Sequence, residues 1–143
     1  MRLRTWIGSL IVLTGIAGAT GFGLAREPYD EGGVTFQQLF AEAMAREPGK
    51  EVNAQVYTFP PGSVLPWHIH PDAHEIAYVV EGDFTFQLEG EPEKQLKVGE
   101  ATYLRPNVVH RGMNKSDKPV RLFVVRIKPK DAPLVVNVPA PPQ

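Results

Sequence analysis

Four residues in this sequence have side chains and spacings suited to metal chemistry. Three are the histidines His68, His70 and His110, and the fourth is the carboxylate Glu75. Neutral imidazole and carboxylate groups suit divalent ions such as Mn, Fe, Co, Ni, Cu and Zn. Four protein ligands would leave an octahedral ion two open positions for water, oxygen or a chelating organic molecule. The chain is therefore a candidate metalloprotein.

The spacing of these residues is compatible with a site built on β-strands. His68 and His70 are two residues apart, so on a strand their side chains share one face. Glu75 begins the next predicted strand after a turn, and His110 begins a later one. His74 competes with Glu75, because neighbouring residues of a strand point to opposite faces. His74 is also a candidate acid or base, since imidazole exchanges protons near neutral pH.

Short strands must position these side chains. After Gly49 the sequence consists of β-branched and aromatic runs separated by turns, which predicts about eight strands over residues 50–130. No internal repeat stands out, so the pattern favours one barrel or sandwich of the all-β class. Apolar residues within 35–46 have helical spacing and predict a short N-terminal helix, with a strand start at 34–37 as the alternative. Residues 131–143 form a proline-rich tail, expected to be loose from Pro139.

The first 25 residues form a separate unit. Two arginines precede an uncharged stretch from Trp6 to Ala25, which is the pattern of a secretory signal. Cleavage is expected after Ala25, with Ala19 as the competing site. An uncleaved membrane anchor is the alternative, since about 20 apolar residues span a bilayer. The sequence thus predicts a periplasmic or secreted protein in which residues 26–49 form a linker and short helix before the barrel.

The composition excludes several classes of protein. The 143 residues fit one domain, and a hydrophobic content of 43% supplies a packed core. A net charge of −1 without a basic stripe argues against a nucleic-acid partner. The absence of cysteine excludes disulfides and thiolate metal sites.

Two segments resemble the motifs of the cupin family. Residues 62–82 match the first motif, G-x5-H-x-H-x4-E-x6-G, at every fixed position. Residues 99–114 are similar to the second motif through Gly99, His110 and Asn114. The family's usual proline and glycine positions in that motif fall on two other residues, Arg105 and Asn107. Asparagine tolerates the left-handed backbone that the turn needs better than most residues do.

The resemblance implies a cupin double-stranded β-helix, or jelly-roll barrel, that binds one divalent metal. It implies these ligands: His68, His70, Glu75 and His110. It selects Glu75 over His74 as the ligand, and leaves the ion open among Mn, Fe, Ni, Cu and Zn. It also implies a homodimer, for which the outward residues Ile76, Tyr78 and Val80 would offer an apolar interface.

Two functions are compatible with this reading. One is a small metalloenzyme of dioxygenase, isomerase or decarboxylase type that acts on a chelating small molecule, with Glu75 and His74 as candidate catalytic residues. The other is a non-catalytic module that binds a metal or small ligand. Five residues are predicted to line the substrate pocket: Ala77, Phe84, Phe86, Arg105 and Gly112. The other candidate arginines for binding a substrate carboxylate are interpreted as surface residues: Arg111, Arg121 and Arg126.

Overall fold

A computed structural model describes residues 25–26 and 33–142 of the chain. The predicted export signal, apart from Ala25, therefore lies outside the described residues, as does most of the predicted linker. Within the described part, the chain forms eleven β-strands and no helix. No helix in that part is long and apolar enough to cross a membrane.

The strands are numbered in chain order. Their bounds are β1 Ala25–Arg26, β2 Thr35–Met44, β3 Glu47–Phe59, β4 Val64–Ile69, β5 His74–Glu81, β6 Phe84–Leu88, β7 Lys94–Leu96, β8 Ala101–Leu104, β9 His110–Met113, β10 Val120–Pro129 and β11 Val136–Asn137. They form a six-stranded sheet in the order β1-β2-β3-β10-β5-β8 and a five-stranded sheet in the order β11-β4-β9-β6-β7. The prediction of an all-β fold is confirmed.

The core lies between the two sheets. Alternate residues of β3, β5 and β10 are buried, as expected for strands with one face turned inward. Their inward side chains form one apolar cluster with aromatic residues of β6. Members of this cluster include Tyr57, Phe59, Val79, Phe84, Phe86, Leu122 and Val124. A framework of this kind holds inward-facing residues from many strands close to one another.

The predicted N-terminal helix is wrong, because Thr35–Met44 is a strand. It pairs antiparallel with β3 from Thr35↔Thr58 to Met44↔Glu47. The register shifts between Gln38 and Phe40 and again between Ala43 and Met44. The first shift leaves Leu39 as an extra residue of β2 and breaks the alternation of apolar and polar positions there, which gives the strand apolar spacing that resembles a helix. At the second shift the extra residues, 48–50, belong to β3. Long-range pairing with β3 decides the outcome.

The proline-rich tail is attached to the barrel at 136–138. Strand β11 pairs with β4, and Val138 N donates to the carbonyl oxygen of Trp67 at 2.9 Å. Val135 packs against the apolar core. Beyond Pro139, the residues Ala140 to Pro142 border a surface groove next to Trp67. The tail therefore forms the edge of the five-stranded sheet, beside the strand that carries His68.

Candidate metal centre

The three histidines converge inside the barrel. His68 lies in β4, His70 directly follows that strand, and His110 begins β9. Strands β4 and β9 are antiparallel neighbours in which His68 and His110 are direct partners. All three side chains are buried, with relative exposures of 3%, 3% and 6%. Their possible ligand atoms all lie within 4.8 Å of one another.

Each histidine has one ring nitrogen facing a backbone carbonyl. Nδ1 of His68 lies 2.7 Å from the oxygen of Pro66, Nδ1 of His110 lies 2.8 Å from that of Val108, and Nδ1 of His70 lies 2.7 Å from that of Leu134. A carbonyl oxygen only accepts hydrogen bonds, so each Nδ1 carries a hydrogen and donates it. This tautomer leaves Nε2 with its lone pair available for a metal.

Burial keeps two of the imidazoles unprotonated. Desolvation is the largest cause that lowers the pKa of His110 to about 4; the charge of Glu75 opposes this shift and that of His70 adds to it. Desolvation, followed by the charges of His110 and His70, also brings the pKa of His68 well below its ordinary value. A metal therefore does not have to displace a proton from these two residues at neutral pH.

Glu75 is the buried carboxylate beside the histidines. It faces inward from β5, and its Oε2 lies 2.9 Å from Nε2 of His70. Because Nδ1–H of His70 is directed at Leu134, Nε2 of His70 and Oε2 of Glu75 are two acceptors that face each other. The guanidinium of Arg126 lies beside them, with its Nη2 3.5 Å from Nε2 of His70. The donor set thus fits a divalent transition metal, because three imidazoles converge on the same space and a carboxylate adjoins them.

Arg126 also contacts this carboxylate. Its Nε donates to Oε2 of Glu75 at 2.7 Å, and its Nη1 donates to Oε1 of Gln55 at 2.6 Å and to the Tyr57 hydroxyl at 3.1 Å. Burial alone would raise the pKa of Glu75, but the charges of Arg126 and His70 bring it well below its ordinary value. Glu75 is therefore ionised, and it does not belong to the group formed by the three histidines.

The position of Arg126 on its strand is itself a signal that the side chain is buried. Arg126 is separated from the inward residues Leu122 and Val124 by an even number of positions in β10. Because side chains alternate between the two faces of a strand, Arg126 is expected to point inward as well. The structure buries it, with 4% exposure, and makes it line the pocket. Interpreting Arg126 as a surface residue was wrong. Arg121, on the same strand, is exposed as expected.

A small pocket with a cavity volume of about 40 Å³ lies beside the histidines. Four of the five predicted lining residues border it: Ala77, Phe84, Phe86 and Gly112. Arg105 is exposed and does not border it, whereas Arg111 does. The Arg111 guanidinium lies 5.0 Å above the ring of Trp67. The arginines in reach of a bound molecule are therefore Arg111 and Arg126.

His74 lies on the opposite face of β5 from Glu75. It is exposed, its Nδ1 is 2.6 Å from the Tyr103 hydroxyl, and the two rings are stacked 5.9 Å apart. His74 and Tyr103 belong to the outer surface of the six-stranded sheet, together with Ile76. The alternation of the strand therefore separates His74 from the pocket, while Glu75 faces it.

Two turns next to the candidate ligands His70 and His110 are hydrogen-bonded to each other. Asp72 and Asn107 both have positive φ angles, 51° and 63°. The amide Nδ2 of Asn107 donates to Oδ1 of Asp72 at 3.0 Å, and Asp72 N donates back to Oδ1 of Asn107 at 3.1 Å. Asparagine thus adopts the left-handed conformation for which the cupin family usually has glycine. This contact ties the turn after His70 to the turn before His110.

Comparison with known proteins agrees with this architecture. A family model described as a cupin domain matches residues 55–126, which include all four candidate ligands. A search of curated proteins finds no match.

Solved structures with a similar fold include a predicted oxalate decarboxylase from Thermotoga maritima, with 21% identity, 76% of this chain and 94% of that chain covered, and a TM-score of 0.64. The polyketide cyclase RemF from Streptomyces resistomycificus has 22% identity, covers 81% of this chain and 78% of its own, and has a TM-score of 0.62. Identities this low show the fold alone. Because the family model matches half of the chain and the two sheets have the corresponding jelly-roll form, the chain belongs to the cupin family.

Proposed function

We propose that this cupin binds one divalent transition metal through His68, His70 and His110, with Glu75 as the fourth ligand. The observation that carries the proposal is the shared tautomer of the histidines. Each buried imidazole donates from Nδ1 to a carbonyl oxygen, so the ring lone pair is on Nε2. Such outer hydrogen bonds orient metal ligands in proteins and make them better donors.

The charge balance of the site favours an anionic organic ligand. The carboxylate of Glu75 is offset by the guanidinium of Arg126, so the charge of a divalent ion is not neutralised by the protein. The pocket next to it is walled by aromatic and aliphatic side chains, including Phe84, Phe86 and Leu122. An apolar cavity with an uncompensated cation suits a small organic acid, enolate or phenolate with an apolar part.

An enzymatic role on such a molecule is the first functional candidate. A bound divalent ion would supply Lewis-acid activation of a chelating oxygen. Apolar side chains wall the pocket, and Arg111 at the border can orient a negatively charged group. Dioxygenase, isomerase and decarboxylase chemistry all start from a ligand held in this way. Two structural neighbours are named as a decarboxylase and a polyketide cyclase, which agrees with an oxygen-rich organic substrate.

Binding without turnover is the second candidate, and one observation favours it. Glu75 is the only carboxylate among the described residues that line the pocket, and Arg126 holds it in an ion pair. A carboxylate with a lowered pKa is a weak base. His74, the other acid–base candidate, is on the outer face. The residues that line the pocket thus hold and orient a ligand better than they transfer protons.

Metal analysis of the natively purified protein tests the proposal. We expect about one equivalent of a divalent transition metal, which His68→Ala removes. A subsequent screen of small carboxylic acids and phenols, with ligand binding and product formation measured in parallel, separates an enzyme from a binding module. Absence of metal in the purified chain, together with no uptake of Zn²⁺, Mn²⁺ or Fe²⁺, would rule out the metal site.

Export and dimer formation complete the proposal. The charge pattern of residues 1–25 supports export to the periplasm or the medium, and N-terminal sequencing should find a mature chain that starts at Arg26. A chain that starts at Met1 would exclude cleavage. The outer residues Ile76, Tyr78 and Val80 have exposures of 49%, 42% and 42%, which supports an apolar contact between two copies. Light scattering should then give twice the mass of one chain.

A further inference from the structure

The segment 134–138 lies directly against β4, the strand that carries His68 and that His70 directly follows. After β10 ends, the chain turns and crosses to the other sheet, where β11 pairs with β4. The register places Val136 opposite Ile69 and Asn137 opposite His68. Strand β4 would be an edge strand without this segment, because β11 is its second neighbour.

One ligand depends on this segment for a hydrogen-bond partner. His68 and His110 donate from Nδ1 to carbonyls two residues earlier in their own chain segments. His70 instead donates to the carbonyl oxygen of Leu134, which is 64 residues away in sequence. The carbonyl partners of Nδ1 in His68 and His110 are therefore local in sequence, whereas the Nδ1 partner of His70 is supplied by the segment. The segment thus sets which ring nitrogen of His70 carries the hydrogen, while Glu75 contacts the other nitrogen from inside the barrel.

The segment itself is held by few contacts. Val135 packs against the core, β11 has two residues paired with β4, and Val138 N donates to Trp67 O at 2.9 Å. A short edge strand of this kind opens more easily than the interior of a sheet. The hydrogen bond from His70 to the carbonyl oxygen of Leu134 is thus a substantial part of the attachment of this segment to the barrel.

We propose that Leu134 is a positioning residue of the metal centre, and that docking of segment 134–138 and metal binding at His70 strengthen each other. This inference rests on the proposed metal site. Coupling between two binding events is reciprocal, so any factor by which docking tightens metal binding is also the factor by which metal tightens docking. Loss of an outer hydrogen-bond partner of a metal-bound histidine costs roughly 10–100-fold in affinity.

Hydrogen exchange of the intact chain tests the coupling. Zn²⁺ should slow amide exchange of Val138, whose N–H donates to Trp67, by roughly 10–100-fold. This is the factor expected for metal affinity when the hydrogen-bond partner of a bound histidine is lost, and reciprocity gives the same factor for docking. Strand β7 is the matched control, because it is the opposite edge of the same sheet. In the strand order it is not a neighbour of β4 or β9, the strands that carry His68 and His110. Its amides should slow clearly less than that of Val138.

A substitution provides the reciprocal measurement. Val138→Pro removes the N–H that donates to Trp67, and Val138→Ala keeps it. The proline variant should bind Zn²⁺ about 10–100-fold more weakly in competition with a chelator, and the alanine variant should bind like the original chain. If the proline variant does not fold, hydrogen exchange on the intact chain decides alone.

The possible outcomes are distinct. Slower exchange at Val138 with zinc and weaker zinc binding by Val138→Pro support the inference. If the intact chain binds zinc but exchange at Val138 slows no more than in β7, the coupling is refuted and the metal site stands. If the intact chain binds no metal, both the proposed function and this inference fail.

Discussion

Arg126 and Glu75 face each other directly across β10 and β5, and their side chains form a buried ion pair with a 2.7 Å hydrogen bond from Nε to Oε2. The pair borders the same pocket as the histidines. The guanidinium and a metal therefore compete for the carboxylate of Glu75. The stronger its interaction with one of them, the weaker its interaction with the other. Arg126 thus governs how much of the carboxylate charge a metal receives.

Substitution of Arg126 should separate stability from metal affinity. Arg126→Gln leaves Glu75 buried without its cation, which should lower the free energy of unfolding of the metal-free protein by about 3–5 kcal/mol. The same change frees the carboxylate, so affinity for Zn²⁺ should increase. Urea denaturation in the presence of a chelator and zinc titration measure the two effects.

Arg121→Gln is the matched control for that prediction. Arg121 lies on the same strand but is exposed, so both stability and zinc affinity should stay close to those of the original chain. If Arg126→Gln changes neither quantity more than Arg121→Gln does, the ion pair has no influence on the site.

The all-β fold and the histidines of the candidate metal site could be predicted because their signals are local. The spacing of His68 and His70 predicts their shared face. The alternation of residues in β5 puts Glu75 and His74 on opposite faces, and the resemblance to the cupin motif selects Glu75. Even the left-handed turn at Asn107 follows from the residue type. These features need no knowledge of which strands are neighbours.

The remaining features depend on pairings between distant segments. Arg126 meets Glu75 only because of the register between β10 and β5, across 51 residues of sequence. Leu134 acts through its backbone carbonyl, which every residue has, so its side chain carries no signal. The error at Thr35–Met44 has the same origin, since pairing with β3 makes this segment a strand despite its helix-like apolar spacing.

Two histidine substitutions test which imidazoles bind the metal. His110→Ala should reduce zinc affinity by more than the roughly 10–100-fold that loss of an outer partner costs, because it removes a ligand. His74→Ala is the control, since His74 is exposed on the outer face and contacts Tyr103. It should leave zinc affinity unchanged. Equal losses in the two variants, measured by chelator competition, would contradict the assignment.

Gly112 is required by the close approach of an aromatic ring. A Cβ atom on Gly112 would lie 2.8 Å from Cζ of Phe84, a buried residue of the pocket wall. Gly112→Ala should therefore lower the free energy of unfolding by about 1–3 kcal/mol through overpacking. At Gly49 an added Cβ meets nothing within 4 Å, so Gly49→Ala should be close to neutral. Urea denaturation of the two variants would refute the prediction if they were equally stable.

The stability of the metal-free protein should fall as the pH decreases from about 6.5 to about 4. The folded pKa of His110 is about 4, whereas the unfolded residue titrates near its ordinary value of 6.5. Between these values the unfolded state binds more protons, so stability rises with pH. The contribution of His110 is complete above pH 6.5 and is lost as the pH falls, on the order of 3 kcal/mol.

Denaturation curves measured across this pH window, with chelator present, check that slope. His110→Gln cannot titrate there, so its stability should depend less on pH than that of the original chain. His74→Gln removes an exposed imidazole instead and should retain the full slope. If the original chain and His110→Gln have the same pH dependence, burial of His110 does not depress its pKa. In that case a metal would have to compete with a proton for this ligand near neutral pH.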